Sequence, residues 1–361
     1  MPQKVKVLVV GLGNMGASHA SSYHRNPGFE IVGLMSRSIK SKAIPDELKG
    51  YPLFEDFDTA LAITKPDAVS INSYPNTHAE YATKAMNLGA HVFMEKPIAT
   101  NIADAEAVVK LAREKHKKLV LGYILRVHPS WIKFIELSRT LGKPLVMRLN
   151  LNQQSNGPAW MWHKNLIDSL IPIVDCGVHY VDVMCQMTGA KPVRVHGIGA
   201  KLWSDAAKDN YGHLHVEFDD GSIGWYEAGW GPMMSEQAFF VKDVVGPNGA
   251  VSIVPGHSSG KDQLEDVSDS ADIGRHTKTD LIQYHHAEVG GDKNFLKQDE
   301  FISTEDEPDH QELCDREQAF FLKAILEDLD LSDSMDAAVN SLRIVLAAEQ
   351  SIEEKRVVEL A

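Results

Sequence analysis

Apolar positions along this chain fall into two regimes. Up to about residue 125, short apolar runs alternate with stretches of helical period. KVKVLVV (4–10), FEIVGLM (29–35), Asp67–Ile71, HVFME (91–95) and LVLGY (119–123) read as strands. The segment after the turn at residue 11, then Asp56–Thr64, Thr77–Leu88 closed by Gly89, and Ala103–His116 read as helices. Strands alternating with helices predict βαβ units and a parallel sheet, with any ligand at the carboxyl ends of the strands. That edge carries Ser73, Tyr74, Pro75, Asn76, Glu95, Lys96, Pro97, Tyr123 and Arg126.

Beyond residue 126 the rhythm changes. Ser130–Arg139 is helical and Leu145–Leu151 alternates as a strand. NQQSNGPAWMWHKN (152–165) reads as a loop. IDSLIPIVDCGVHYVD (167–182) reads as one apolar helix. Strands follow near 193–200, 212–219, 222–229 and 237–245, with Asp220-Gly221 as a hairpin turn. Residues 256–280 are polar throughout and read as a mobile loop or lid. Helices are expected over Glu312–Leu326 and Met335–Glu354. The division is then a domain of residues 1–125 and a second α/β domain of 126–361, with the last helix able to pack back on the first.

Two local patterns carry chemistry. GLGNMG places Gly11, Gly13 and Gly16 between a strand and a helix. In that setting the first glycine permits a tight turn, the second lets a pyrophosphate approach the backbone, and the third lets helix and strand pack closely. Asn14 and Met15 then open the helix, whose free N–H groups and dipole favour anions. Some 20 residues on, where NAD-binding versions carry an acid for the ribose hydroxyls, stand Ser36, Arg37 and Ser38. Two hydroxyls and a guanidinium suit a 2′-phosphate, which favours NADP while leaving NAD open. Lys40 and Lys42 add positive charge nearby.

The second pattern is Asp175, His179, Asp182 at i, i+4, i+7, one face of a helix. A carboxylate one turn from an imidazole can fix which ring nitrogen is free to take a proton. A structural core histidine bonded to a carboxylate is the plainer alternative. Lys96, at a strand end followed by Pro97, is placed to touch both nicotinamide and substrate, and the proline fixes the local backbone, where a cis bond is available.

Bulk properties narrow the classes. With 36 basic and 50 acidic residues the net charge is −14, which argues against nucleic acid and anionic membrane surfaces. Three cysteines, Cys176, Cys185 and Cys314, without a CxxC spacing fit a reducing compartment, and cytoplasm is the expectation. VLVV after Lys4 and Lys6 is too short for a signal h-region, and no apolar run reaches membrane-spanning length. His213 and His215 alternate on one strand and, without a third ligand, read as sheet-face residues. No metal site is expected.

GLGNMG, DAVSINSYPNTHAEYATKAMNLGAHVFMEKPIA and DCGVHYVD together resemble the glucose–fructose oxidoreductase and inositol dehydrogenase (Gfo/Idh/MocA) family over nearly the whole chain. The resemblance implies an N-terminal Rossmann domain and a C-terminal α/β domain with a large open, mainly antiparallel sheet. It implies Lys96, Asp175 and His179 as a catalytic trio, and His78 with the Ser73–Asn76 loop and Glu95 at the cofactor. Family members often carry glycines ahead of the catalytic aspartate, where this chain has Ser169-Leu170-Ile171-Pro172. Arg126, Trp162, His163, Tyr284 and His310 are candidate substrate contacts. Trp162 and His163 would offer ring faces to a sugar, or else pack a loop. The implied function is NAD(P)-dependent hydride transfer at a secondary alcohol of a sugar or polyol, in a homotetramer or homodimer built through the open sheet. An aldose–aldose oxidoreductase, a glycosidase with retained cofactor, and a dinucleotide-sensing regulator are the alternatives.

Overall fold

A computed structural model describes residues 4–234, 241–254 and 279–360. The chain forms two compact units, residues 1–127 with 308–342 and residues 128–307 with 343–361. Among the described residues no helix is long and apolar enough to cross a membrane.

The first unit is a six-stranded parallel sheet: β1 (Val5–Val10), β2 (Phe29–Met35), β3 (Leu53–Phe54), β4 (Ala68–Ile71), β5 (His91–Glu95) and β6 (Leu119–Gly122). Their order is β3-β2-β1-β4-β5-β6, the doubly wound order whose chain direction switches between β1 and β4. Helices α1 (Asn14–Arg25), α2 (Phe57–Thr64), α3 (His78–Asn87) and α4 (Ile102–Glu114) connect the strands. Val7, Leu8, Val69, Val92 and Phe93 are fully buried, as expected for strands covered on both faces. Asp56 and Asn101 cap α2 and α4 by accepting from the backbone N–H three residues on.

The second unit holds α5 (Pro129–Ser138), β7 (Val146–Gln154), α6 (Gly157–Ile167), α7 (Pro172–Asp175), α8 (Gly177–Thr188), β8 (Pro192–Ala200), β9 (Tyr211–Phe218), β10 (Ile223–Gly231), β11 (Lys242–Gly246), β12 (Gly249–Val254), β13 (Leu281–His286) and β14 (Glu300–Ser303). Two helices follow, α9 (His310–Leu326) and α10 (Ser332–Glu354), and then β15 (Val358–Glu359). The nine-stranded sheet runs β14-β13-β12-β11-β7-β10-β9-β8-β15. Among the described residues every pairing in it is antiparallel except β10 with β7. Helices α7 and α8 pack on β10.

Several sequence expectations are corrected. Residues 157–167 are helical, not loop: Pro158 at the first turn presets the helical φ, and Trp160, His163, Leu166 and Ile167 form its buried stripe. Segment 167–182 is not one helix. α6 ends at Ile167, Pro172 opens α7, and α8 begins at Gly177, with Cys176 in helical conformation between them. Strands β3, β12, β13, β14 and β15 were not anticipated, and β11 starts at Lys242. The expected lid at 256–280 lies outside the described residues apart from its last two positions. Residues 308–342 count with the first unit, whereas the sequence reading placed 126–361 in the second and left only the last helix, 335–354, able to pack back on the first; α9 packs along α1 there.

Candidate active site

In the first unit the strand ends at the switch point bring the expected groups together. Gly11 has φ +84°, and a Cβ there would lie 2.4 Å from the Asn72 carbonyl oxygen. A Cβ on Gly16 would lie 1.9 Å from the Gly11 carbonyl oxygen. Gly13 differs: a Cβ there meets no protein atom within 4 Å. Two glycines are demanded by the chain's own packing, while the third faces open space at the positive end of α1, whose first turn holds no acid. This cradle fits a dinucleotide phosphate. Asn14 is exposed and Met15 half-buried beside it. At the end of β2, Ser36 is buried, and Arg37 and Ser38 are exposed. Lys40 is paired with Glu55.

Beyond β4, Ser73 Oγ bonds Thr77 Oγ1 at 2.6 Å, Tyr74 and Asn76 are exposed, and Pro75 is buried. His78 opens α3 but does not face solvent: it is 0% exposed. Its Nδ1 lies 2.7 Å from the Pro97 carbonyl oxygen and its Nε2 2.9 Å from the Ser73 carbonyl oxygen. Carbonyls only accept, so the neutral ring makes one of these bonds and the imidazolium makes both. Burial pushes its pKa below the ordinary value, against the two carbonyls and Glu95, which push it up. The implied cofactor-lining residue is therefore a buried bridge between two loops.

β5 ends in Glu95, and the Lys96–Pro97 peptide is cis. Lys96 is half-buried in a run, residues 92–99, where every other residue is buried. Below it Glu95 Oε1 accepts from His19 Nε2 at 2.8 Å, and Gln318 Nε2 lies 2.9 Å from His19 Nδ1. Burial, and then the Glu95 charge, holds the neighbouring Glu317 carboxyl well above the usual range. Ligand-type atoms of His19, Cys314 and Glu317 lie within 4.8 Å of one another. Since both His19 nitrogens are engaged, the group reads as a hydrogen-bonded cluster. Arg126 lies over the Tyr123 ring at 5.7 Å. His310 is the first residue of α9, inside the helix and not ahead of it, with Nε2 3.6 Å from Cys314 Sγ.

In the second unit Asp175 ends α7, and His179 lies one turn on in α8. From Leu170 to Met184 every residue is buried except His179, which is half-buried. Gly177 between them is closely packed: a Cβ there would lie 3.0 Å from Val345 Cγ1 and 3.3 Å from the Tyr226 ring. Asp182 is buried and accepts from Gln186 Nε2 at 2.9 Å, a bond within α8. Cys176 Sγ lies 3.5 Å from Gln153 Oε1, which also accepts from Trp230 Nε1 at 2.7 Å. Of the two aromatic candidates, Trp162 is exposed, while His163 is buried and stacked on Trp230 with centroids 4.4 Å apart. Tyr284 is on β13, three strands from β7, or about 14 Å across the sheet. Its hydroxyl bonds Thr140 Oγ1 at 2.9 Å.

Sequence reasoning passed over His19, Gln318 and Glu317, and also Lys242. The last is buried under α8 with its ammonium on the Asn150 carbonyl oxygen and 5.1 Å from the Tyr180 ring centroid. His19 carried one usable signal: with Gly16, Ala20 and Tyr23 it lies on the buried stripe of α1.

Comparison with known proteins agrees with this architecture. Residues 5–123 match the Gfo/Idh/MocA model described as an oxidoreductase family with NAD-binding Rossmann fold, and residues 134–250 match the GFO/IDH/MocA C-terminal domain. The chain belongs to the Gfo/Idh/MocA oxidoreductase family. It is similar to UDP-N-acetylglucosamine 3-dehydrogenase of Acidithiobacillus ferrooxidans, 30% identical over 200 residues, which are 55% of this chain and 59% of that protein. It is 27% identical over 240 residues to scyllo-inositol 2-dehydrogenase (NAD(+)) of Bacillus subtilis, covering 63% and 68%. The match thus spans less than two thirds of the first of these relatives. Among solved structures, scyllo-inositol dehydrogenase from Lactobacillus casei with bound NAD(H) and scyllo-inositol superposes with TM-score 0.70 over 99% of both chains, at 20% identity, a likeness of fold.

Proposed function

We propose that this protein is an NAD(P)-dependent oxidoreductase that transfers hydride to or from a secondary alcohol of a sugar or polyol. One observation carries the reading. Lys96 and His179, the base-type groups of the EKP and D-x-G-x-H patterns, are each the single solvent-reaching residue in an otherwise buried run. Surface lysines and core histidines do not share that placement by default.

The nicotinamide, when bound, supplies the hydride acceptor or donor. Gly13 and the first turn of α1 would hold the pyrophosphate, and the Ser36–Ser38 turn the adenosine ribose. His179 takes the hydroxyl proton as the C–H hydride leaves and returns it during reduction. Asp175 orients His179, and the Lys96 ammonium stabilises negative charge developing on the alkoxide oxygen. The serines and Arg37 at the ribose turn, without an acid, support a preference for NADP.

The test is a panel of cyclitols, aldoses and keto-sugars, each with NAD and NADP, read by nicotinamide absorbance. His179→Ala and Lys96→Met should each lower kcat by about 10²–10⁴-fold on the substrate found. Cofactor affinity should change little in His179→Ala. Near-normal turnover by that variant would remove the basis of the mechanism. Sustained turnover without consumption of added cofactor would point to a retained cofactor instead.

A further inference from the structure

Lys96 is flanked on both sides by residues tied to buried imidazoles. On its N-terminal side, Glu95 is 8% exposed and accepts from His19, and its second oxygen lies 3.3 Å from the Lys96 backbone N–H. The Gln318 amide nitrogen can only donate, so His19 Nδ1 accepts and Nε2 carries the proton aimed at Glu95. Three elements, α1, β5 and α9, thereby fix one carboxylate. On the C-terminal side, the carbonyl of Pro97 is held by His78, whose other nitrogen reaches the Ser73 carbonyl at the end of β4. His19 and His78 are both 0% exposed.

Replacing a buried polar network by apolar side chains of the same volume is often neutral or stabilising, so such a network is weak evidence of a purely stabilising role. We propose that His19 and His78 are positioning residues that clamp Lys96 through its two chain neighbours, His19 through the Glu95 carboxylate and His78 through the Pro97 carbonyl. Neither touches substrate. Together they set the direction of the Lys96 side chain. The proposal rests on the reading of Lys96 as a group that acts on substrate.

Paired variants test it. His19→Gln keeps a donor long enough to reach Glu95, whereas His19→Asn is too short. His78→Asn keeps a donor for the Pro97 carbonyl, whereas His78→Leu keeps volume alone. Two readouts are taken on each full-length variant. The first is the pH titration of Lys96 by NMR after ¹³C-reductive methylation, its signal assigned by its loss in Lys96→Arg. The second is kcat against cofactor Kd. In His19→Asn and His78→Leu the Lys96 midpoint should move while other lysines stay in place, and His19→Gln and His78→Asn should largely restore it. Misplacing a reacting group by about 1 Å can cost about 10²-fold, so kcat should fall by that order while cofactor Kd moves by less than about threefold. Lowered thermal stability with unchanged Lys96 titration and kcat would overturn the proposal and leave a packing role. Should His78→Leu not fold, the His19 pair, polar in both members, decides alone. Should the wild type turn over no member of the panel, the functional reading fails, and the Lys96 titration still decides the clamp.

Discussion

Lys242 offers a test of the second unit in which sign and size both follow from burial. It is 3% exposed, in the layer between the sheet and α8. Burial lowers its pKa from 10.5 to about 7. The fold therefore prefers the neutral amine, while the unfolded chain keeps the ordinary value. Below about pH 7 both states hold the proton and the penalty is constant. Between about 7 and 10.5 the unfolded state holds more proton, so this group makes stability rise with pH. Above 10.5 the penalty is gone. The gap of about 3.5 pH units, at about 1.36 kcal/mol each, sets a ceiling of roughly 5 kcal/mol. The bond to the Asn150 carbonyl and the Tyr180 ring face offset part of it. Lys242→Met keeps the stem and removes the charge, so it should stabilise the unit at neutral pH by about 1–4 kcal/mol. The gain should shrink towards about pH 10. All six tryptophans, Trp131, Trp160, Trp162, Trp203, Trp225 and Trp230, lie in the second unit, so their fluorescence in a urea titration reports that unit alone. A gain that stays constant across this pH range, or destabilisation at every pH, would refute the reasoning.

The remaining predictions concern the first unit. Gly13→Ala meets no protein atom within 4 Å, so thermal stability should hold within about 0.5 kcal/mol while calorimetry shows weakened dinucleotide binding. Gly16→Ala drives a Cβ to 1.9 Å from the Gly11 carbonyl oxygen and should lower stability first; equal thermal behaviour of the two variants would contradict this division of roles. Ser36→Asp should shift preference from NADP towards NAD, as read from the two dissociation constants, and a wild type that binds NAD more tightly would remove the premise. Burial, with Lys117 and Lys118, lowers the pKa of His91 from 6.5 to about 4, and its Nδ1 accepts from the Lys118 N–H at 3.0 Å. The stability it contributes is therefore present above about pH 6.5 and lost as pH falls towards 4. Amide hydrogen exchange of Lys118 and its neighbours should accelerate over that window in the wild type, and the pH dependence should flatten in His91→Gln.

The parallel sheet was legible because strands buried on both faces are written as unbroken apolar runs, and the glycine turn because its steric demands are local. Helix α6 was missed because Gly157-Pro158 looks like a breaker, although proline at the first helical turn favours a helix. Strands β12, β13 and β14 were missed because they lie towards one edge of the sheet and carry little continuous apolar signal; their pairing is decided by partners far along the chain. The site divides in the same way. Lys96, Asp175 and His179 sit in short motifs with recognisable spacing. His163 and Tyr284 were chosen for residue type alone, and the fold spends the first on Trp230 and the second on Thr140. The histidine clamp has no local signature, since Gln318 reaches His19 across 299 residues of sequence and His78 reaches Pro97 across 19. What a motif marks is the group that must face solvent. What holds that group is supplied by side chains whose only sequence trace is a polar residue on a buried stripe.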